Sequence, residues 1–431
     1  MPRLQFFPGM IACLLLWSGV AMAGAPNNDS TITGRVFVPD SNNNRFLIYK
    51  QPTGNGDSAD IVLGQGNFTT NAAGTSATTM SAPTEFARDD DGNLYVSDSG
   101  NCRVLIFTTP FKTGQAAKVV LGEPDANTGC GALPTSATTV LTTGGLAFDN
   151  NGNLWVADIG NSRILRFKAP FKTGKAADIV LGQPDFSSST GVEACFLGTA
   201  PTAGNLCSPI GLAFDSSNNL WVADAGYSRI LEFKSPKKNM NASVELGHPA
   251  ATAFTSAAAN DGGLSASSLN GPTGIGIDNK DRLWVADTGN SRVLRFNPKI
   301  KNDDAATVVL GQPGFLVNST NQGGFPSALT LDGPQGIEIR PDGVLWVGDS
   351  GNNRTLSYEQ PFTTGMSASQ VLGQPDFVQN GANQNNATPN ENTQDVPFNA
   401  GVSFLALAVL VILAGGRELL LRRRRRAQLV S

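Results

Sequence analysis

The feature that most constrains this chain is a hairpin motif that occurs six times. Its clearest copy covers residues 153–167, where the apolar runs 154–157 and 164–167 flank a cluster of Asp, Gly and Asn that favours a tight turn. Every copy has an arginine five residues after an aspartate: Asp40 and Arg45, Asp98 and Arg103, Asp158 and Arg163, Asp224 and Arg229, Asp287 and Arg292, and Asp349 and Arg354. Successive aspartates are 58, 60, 66, 63 and 62 residues apart, and such a period predicts a repeat architecture.

One complete unit is predicted to contain four short strands. In the third copy these are residues 145–149, 154–157, 164–167 and 178–182, separated by turn-forming sequences. Four antiparallel strands repeated six times predict an all-β fold, a six-bladed β-propeller. Because neighbouring blades cover both faces of each sheet, strand 154–157 can be apolar throughout instead of alternating with polar residues.

The repeat resembles a known family motif. Its consensus reads Pro-x-Gly-Ile/Leu-x-Ile/Phe-Asp, followed by Gly-Asn-Leu-Trp-Val-Ala-Asp-x-Gly-Asn-x-Arg-Val/Ile-Leu-x-Phe. It is carried most fully by residues 271–296, and also by residues 145–167, 211–233 and 333–358. This pattern resembles the NHL repeat, and the resemblance implies a six-bladed propeller, here assigned to residues 24–377.

The chain departs from the family pattern in three respects. The period is lengthened by insertions after each fourth strand, and Tyr227 stands where Asn is expected. The first copy lacks an apolar first strand, since residues 27–31 are polar. The first blade is therefore either three-stranded or completed by a segment that the sequence does not identify.

Antiparallel strand order predicts that the turns between second and third strands emerge on the same face as the loops joining one blade to the next. We call this the insertion face, because it carries five long insertions. These are residues 66–82, 125–143, 187–208, 250–270 and 314–332. Insertions in repeat proteins often form the binding face, so a protein or glycan ligand is expected there; the alternative is that the insertions only connect the blades.

The N-terminus is predicted to direct export. Residues 1–23 resemble a secretory signal peptide, with Arg3, an apolar core at 10–20 and the small-x-small sequence Ala21-Met22-Ala23. An uncleaved anchor is the alternative, although the apolar run is short for a membrane span.

The C-terminus is predicted to hold a membrane anchor. Residues 378–400 are Asn-, Gln- and Thr-rich and predict a disordered linker, residues 401–421 a transmembrane helix, and residues 422–431 a basic cytoplasmic tail. By the positive-inside rule the propeller lies outside the cytoplasm, in the periplasm or at the cell surface. The Pro397 region, the span and the arginines resemble sorting signals processed by exosortase-like enzymes; the alternative is a permanent anchor.

The charge balance argues against nucleic acid as a partner. Formal net charge is −4; residue 3 contributes +1 and residues 417–426 contribute +5, which leaves −10 on the rest of the chain. Such a body repels polyanions.

The cysteine count predicts two disulfides. Cys13 lies in the signal peptide, and four cysteines remain after its removal, an even number that suits an exported protein. Cys195 and Cys207 share one insertion and are predicted to pair. Cys102, in a hairpin turn, and Cys130, in the insertion of the same unit, should emerge on the same face and form the second pair. No Cys-x-x-Cys spacing indicates a zinc site.

The recurring polar residues are interpreted as structural. A residue present in every blade performs the same task six times, and an aspartate can accept turn N–H groups while an arginine pairs with it or with the adjacent blade. His248 is the one histidine in the sequence, which argues against a His-based triad, and its motif suggests a loop position. The first-strand residues Asp149, Asp215 and Asp278 could place carboxylates near the axis for Ca²⁺, although Arg340 interrupts the series.

Two functions follow from these observations. The first is an exported, membrane-tethered or surface-sorted propeller that acts as a non-catalytic scaffold for a protein or glycan, with no catalytic residue and no cofactor assigned. The alternative is a Ca²⁺-dependent hydrolase or lyase similar to propeller lactonases and gluconolactonases.

Overall fold

The computed structural model describes residues 34–131, 133–189, 198–386 and 388–395. Within these residues the chain forms six antiparallel sheets whose strands follow one another in sequence order. This architecture confirms the predicted all-β six-bladed propeller.

Among the described residues, five blades have four strands and the first has three. The strands are β1 (Val36–Asp40), β2 (Arg45–Tyr49) and β3 (Ile61–Leu63) in blade 1; β4 (Pro83–Arg88), β5 (Leu94–Asp98), β6 (Arg103–Phe107) and β7 (Val119–Leu121) in blade 2; β8 (Thr143–Phe148), β9 (Leu154–Asp158), β10 (Arg163–Phe167) and β11 (Ile179–Leu181) in blade 3; β12 (Pro209–Phe214), β13 (Leu220–Asp224), β14 (Arg229–Phe233) and β15 (Val244–Leu246) in blade 4; β16 (Ile275–Ile277), β17 (Leu283–Asp287), β18 (Arg292–Phe296) and β19 (Val308–Leu310) in blade 5; and β20 (Pro334–Ile339), β21 (Leu345–Asp349), β22 (Arg354–Tyr358) and β23 (Gln370–Leu372) in blade 6.

The first strands of the four-stranded blades surround a central channel. Strands β4, β8, β12, β16 and β20 contact one another in ring order, while β1, the equivalent of a second strand, contacts β4 directly. The described part of blade 1 therefore lacks an innermost strand. The residues before 34 lie outside the described part of the chain.

Each hairpin turns through the same backbone conformation. A three-residue 3₁₀ turn follows the aspartate, and the next residue has a φ near +50°, as at Cys102 (54°) and Ser162 (51°). Its N–H group donates to the carbonyl three residues earlier, which closes the turn. The arginine that follows pairs with the aspartate across the two strands, as in the Asp158–Arg163 register.

The core lies between the blades. Trp155 of blade 3 is 1% exposed and packs against Phe214 of blade 4, with ring centroids 5.8 Å apart. One buried cluster joins Trp155 and Ile164 of blade 3 to Leu220 and Val222 of blade 4. A strand that is covered on both faces gains from being apolar throughout, which explains the continuous apolar runs in the sequence.

A six-residue segment precedes the first strand of every four-stranded blade and recurs at the C-terminal end of the propeller. In each copy the first backbone N–H donates to the side-chain oxygen of the fourth residue, and the sixth N–H donates to the hairpin aspartate. The copies are residues 76–81, 136–141, 202–207, 265–270, 327–332 and 390–395. We call it the capping segment.

The last capping segment closes the ring. Arg45 of blade 1 donates through Nη2 to the carbonyl oxygens of Asn390 and Thr393, both at 2.9 Å. The N–H of Asp395 donates to Oδ1 of Asp40 at 2.8 Å. The C-terminal end of the propeller thus gives blade 1 the contacts that every other blade receives from the insertion before it.

These contacts correct the prediction of a disordered linker over residues 378–400. Residues 378–386 and 388–395 are ordered against the propeller, and Thr393 and Gln394 are fully buried. The low apolar content of these residues predicted disorder. The segment is nevertheless ordered, because its polar groups form hydrogen bonds with buried charged groups of the propeller. Residues 396–400 lie outside the described part of the chain.

Other predictions for the two ends also fall outside the described residues. These are the signal peptide at 1–23, the membrane span at 401–421 and the basic tail at 422–431. In the described ranges, no helix combines the length and the apolar character needed to cross a bilayer.

Candidate functional site

The Asp–Arg pair of each hairpin forms a buried corner on the insertion face. In blade 3, Nε of Arg163 lies 2.6 Å from Oδ2 of Asp158, and both side chains are 0% exposed. Arg163 also donates to the carbonyl oxygens of Ser136 and Thr139 in the preceding insertion and of Phe186, which directly precedes the following insertion. One guanidinium therefore holds a hairpin and two insertions together.

All six corners have this geometry. The distances between Arg Nε and Asp Oδ2 lie between 2.5 and 2.8 Å, and every one of these side chains is 0% exposed. Because the charged groups are enclosed and hydrogen-bonded, the corners cannot bind a ligand directly. The corners instead hold the loops of the insertion face in place.

Blade 4 varies this arrangement. Glu245 stands where the other five blades have valine, and its Oε2 lies 3.4 Å from Nη1 of Arg229. The other carboxylate oxygen, Oε1, lies 2.5 Å from Nδ1 of His248. His248 lies in the loop after β15, as expected. Its side chain is buried, and Nε2 has no partner among the described residues. Enclosed in this way, the histidine cannot reach a substrate.

One disulfide is present on the insertion face, as the sequence predicts. Cys102 and Cys130 are bonded, with Cα atoms 4.9 Å apart, so the hairpin turn of blade 2 is linked covalently to the insertion that follows it. Cys207 is also disulfide-bonded, and its predicted partner, Cys195, lies outside the described residues. A disulfide of this kind is typical of oxidising compartments.

The exposed large apolar side chains of the described residues all lie on the insertion face. Two belong to the insertion at 125–143, three to the insertion at 314–332, and one follows the last strand of blade 6. They are Leu133, Leu141, Leu316, Phe325, Leu329 and Val378. Phe325 is 90% and Leu316 is 75% exposed. Side chains of this kind on rigid loops are typical of surfaces that bind proteins.

The axial aspartates do not form a Ca²⁺ site. In Asp149, Asp215 and Asp278, one carboxylate oxygen accepts backbone N–H groups of its own turn, and the other accepts the indole N–H of the tryptophan six residues later at 3.0–3.2 Å. Their oxygen atoms are thus occupied by the protein itself. In the described ranges, no three His, Cys, Asp or Glu side chains gather in the manner of a metal site.

A cavity of about 440 Å³ opens at the channel mouth on the face opposite the insertions. The ends of the first strands supply its apolar walls, including Phe148, Phe214 and Ile277, and Arg88 and Arg340 also line it. Cavities of this size accommodate small organic ligands.

An ion pair between blades 2 and 6 lies beside this cavity. Nη2 of Arg88 lies 3.5 Å from Oε1 of Glu338, and both side chains are almost completely buried. Burial raises the pKa of Glu338 to about 7, although Arg88 opposes the shift. Burial likewise raises the pKa of Glu85, on the same strand as Arg88, well above its usual value.

The sequence analysis did not predict this group of charged residues, Glu85, Arg88 and Glu338. Its signal was present, because Glu85 and Arg88 lie in first strand β4, and Glu338 in β20, at positions where other blades have mainly Gly, Ala and apolar residues. Charged residues in a strand that lines a channel indicate a specialised surface. The sequence could not show that Arg88 and Glu338, which are 250 residues apart, come into contact.

The match to a known protein family falls on the hairpin repeats. A model of the NHL repeat matches residues 81–107, 206–233 and 269–296, each of which contains one Asp–Arg hairpin. No curated protein sequence matches the chain.

Three solved structures of similar proteins have low sequence identity. A streptogramin B lyase is 13% identical, with a TM-score of 0.46, over 84% of this chain and 86% of that one. A virginiamycin B lyase from Staphylococcus aureus is 14% identical, with a TM-score of 0.40, over 78% and 80%. A protein of unknown function from Bacteroides caccae is 11% identical, with a TM-score of 0.43, over 78% and 97%. Similarities at this level say nothing of a ligand or an activity.

Proposed function

This chain is a six-bladed propeller built of NHL repeats, and we propose that it acts as a non-catalytic scaffold that binds a protein partner through its insertion face. The observation that carries the proposal is that the exposed large apolar side chains of the described residues all lie on that face. Large apolar side chains are costly to leave in water, and their concentration on one face is typical of protein interaction sites.

The rigidity of the insertion face supports the same function. The buried Asp–Arg corners and the Cys102–Cys130 disulfide hold the insertions in place before any partner arrives. A surface that is ordered in advance loses less conformational entropy on binding.

A protein is favoured over a glycan by the composition of the surface. Five of the six exposed apolar side chains are aliphatic, and Phe325 is the one aromatic residue among them. Aliphatic groups with a single aromatic anchor suit an apolar protein surface better than the stacking of sugar rings. The Ca²⁺-dependent enzyme is not favoured, because the axial aspartates bond to their own blades.

We include export and membrane tethering in the proposal. The Cys102–Cys130 disulfide supports an oxidising compartment. Residues 1–23, 401–421 and 422–431 provide the predicted signal peptide, span and basic tail, and the region of Pro397 the predicted sorting motif. Cell fractionation with alkaline extraction tests this part: the protein should remain in the membrane pellet, and recovery in the cytosol would contradict it.

Site-specific crosslinking tests the proposed binding face. A photoreactive amino acid placed at Phe325 should capture a partner in the cell, whereas the same group at Ala116, an exposed residue near the opposite face, should not. The captured protein is then purified and its affinity for the propeller is measured. Phe325→Asp or Leu316→Asp should weaken binding about tenfold or more, and Ala116→Asp should not.

Three outcomes would contradict the proposal. The first is equal capture from both positions, and the second is an affinity that the insertion-face variants leave unchanged. The third is capture of no protein while a glycan array shows binding that depends on Phe325. Thermal melting of each variant distinguishes a lost contact from a lost fold.

A further inference from the structure

The cavity on the face opposite the insertions has the composition of a ligand site. Exposed residues of the first turns, Asn150, Ser216 and Asn279, form its rim, and Phe148 and Ile277 contribute to its apolar walls. We propose that this cavity binds a small organic monocarboxylate with an apolar body, and that Arg88 is the group that receives the carboxylate. Neither the NHL repeat nor the scaffold function implies such a site.

Arg88 is charged, enclosed and incompletely paired. Its side chain is 6% exposed, and Nη2 is the one guanidinium nitrogen with a hydrogen-bond partner among the described residues, at a long 3.5 Å from Glu338. Nε is buried with no hydrogen-bond partner in the part of the chain that the structure describes, and the guanidinium carbon lies 4.8 Å from the ring centroid of Phe37. A buried guanidinium normally makes several hydrogen bonds, because leaving its donors unpaired costs free energy. An anion entering the cavity would supply the missing acceptors.

The surrounding charges favour a monoanion whose carboxylate points toward Arg88. Arg35 and Arg340 are close enough to act on the charge of Arg88, although Arg340 is itself paired with Asp342 at 2.5 Å. The opposite wall carries Asp215 and Asp278, whose oxygens already accept hydrogen bonds. A second anionic group on the ligand would be repelled there, whereas an apolar body would pack against the Phe and Ile side chains.

Glu338 competes with such a ligand for Arg88. One of its oxygens, Oε2, is buried without a partner in the described part of the chain, so the carboxylate is itself poorly stabilised. Burial raises the pKa of Glu338 to about 7, while Arg88 and Arg340 lower it and Asp342 raises it. Protonation of Glu338 removes the competing charge. Ligand affinity should therefore rise as the pH falls through this value.

Calorimetric titration of the purified propeller tests the site. The probe is octanoate, with its neutral analogue octanamide and the short acid acetate for comparison. Octanoate should bind, and the other two should bind far more weakly, because one lacks the charge and the other the apolar body. Affinity should be about tenfold higher near pH 6 than near pH 8, since a carboxyl group with a pKa of about 7 is about ninety per cent ionised at the higher pH.

Four variants separate the contributions of Arg88, Glu338 and the apolar walls to octanoate binding. Arg88→Gln should weaken octanoate binding about tenfold or more. Glu338→Gln should strengthen it near pH 8 and remove the pH dependence. Ile277→Trp should block the cavity while leaving Arg88 in place. Arg166→Gln, which removes a guanidinium from a surface ion pair with Asp178, serves as the matched control and should change nothing.

Specific results would overturn this proposal. Equal binding of acetate and octanoate would mean that the apolar walls play no part. Unchanged affinity in a folded Arg88→Gln or Ile277→Trp variant would place the ligand elsewhere. Octanoate binding that appears only after removal of residues 24–33 would show that the chain itself fills the cavity. Failure here leaves the insertion-face scaffold untouched, because the two sites lie on opposite faces.

Discussion

Removal of the last capping segment should open the propeller. The comparison is between a chain that ends at Asp395 and one that ends at Asn386, both starting at the same residue. The longer chain keeps every described contact of the ring closure. The shorter chain lacks residues 388–395, which hold Asp40 and Arg45 of blade 1 in place.

The hydrogen bonds lost in the shorter chain give the size of the expected loss of stability. Arg45 loses two carbonyl acceptors at 2.9 Å, and Asp40 loses one backbone N–H donor at 2.8 Å. Hydrogen bonds to charged groups contribute roughly 1.5–3 kcal/mol each. Because water can replace part of what is lost, we take the lower end of that range, about 4–5 kcal/mol in total. That is a large share of the roughly 5–15 kcal/mol by which proteins are stable.

Urea unfolding followed by tryptophan fluorescence measures the effect. With a denaturant slope of roughly 3 kcal/mol per molar, the midpoint should fall by about 1–2 M in the shorter chain. Amide hydrogen exchange should increase first in β1 and β2, the strands that the segment holds. If the two chains unfold at the same midpoint, residues 388–395 behave as the linker that their composition predicts, and the account of ring closure is wrong.

Three further perturbations have defined outcomes. Arg163→Ala leaves Asp158 buried and unpaired and should cost about 3–5 kcal/mol in urea unfolding; a cost below about 1 kcal/mol would contradict the corner model. Replacing Cys102 and Cys130 by serine, which opens a loop with a sequence separation of 28, should cost about 3–4 kcal/mol. Reduction of the native protein should cost at least as much, because it also opens the disulfide of Cys207. Burial and a neighbouring corner carboxylate raise the pKa of Asp332 to about 7, so its contribution to stability is complete below the unfolded value near 4 and is lost as the pH rises through about 7. Asp332→Asn should therefore raise the free energy of unfolding by about 1–2 kcal/mol near pH 8 and by almost nothing near pH 4, and the opposite trend would refute the assignment.

The sequence predicted the features that repeat along the chain. The spacing of the Asp–Arg hairpins indicated six blades, and the apolar runs indicated strands covered on both faces. Cys102 and Cys130 were correctly paired, because both belong to one repeat unit and emerge on the same face. These features depend on interactions within one unit or between successive units, which a periodic sequence pattern records directly.

The predictions that failed or were missing concern contacts between distant parts of the chain. Residues 390–395 read as a disordered linker because their apolar content is low, yet they carry the donors and acceptors that Asp40 and Arg45 require. Their partners lie at the other end of the propeller, where no local pattern points to them.

By itself, then, the sequence determined the repeat, the blade number, the hairpin corners and one disulfide, because each arises from local periodicity. Only the tertiary structure decided how the ring closes and that Arg88 meets Glu338 beside a cavity. The physical reason is that closing a ring brings together residues from its two ends and across its axis. Their proximity is set by the number and curvature of the blades between them, not by the residues that flank them.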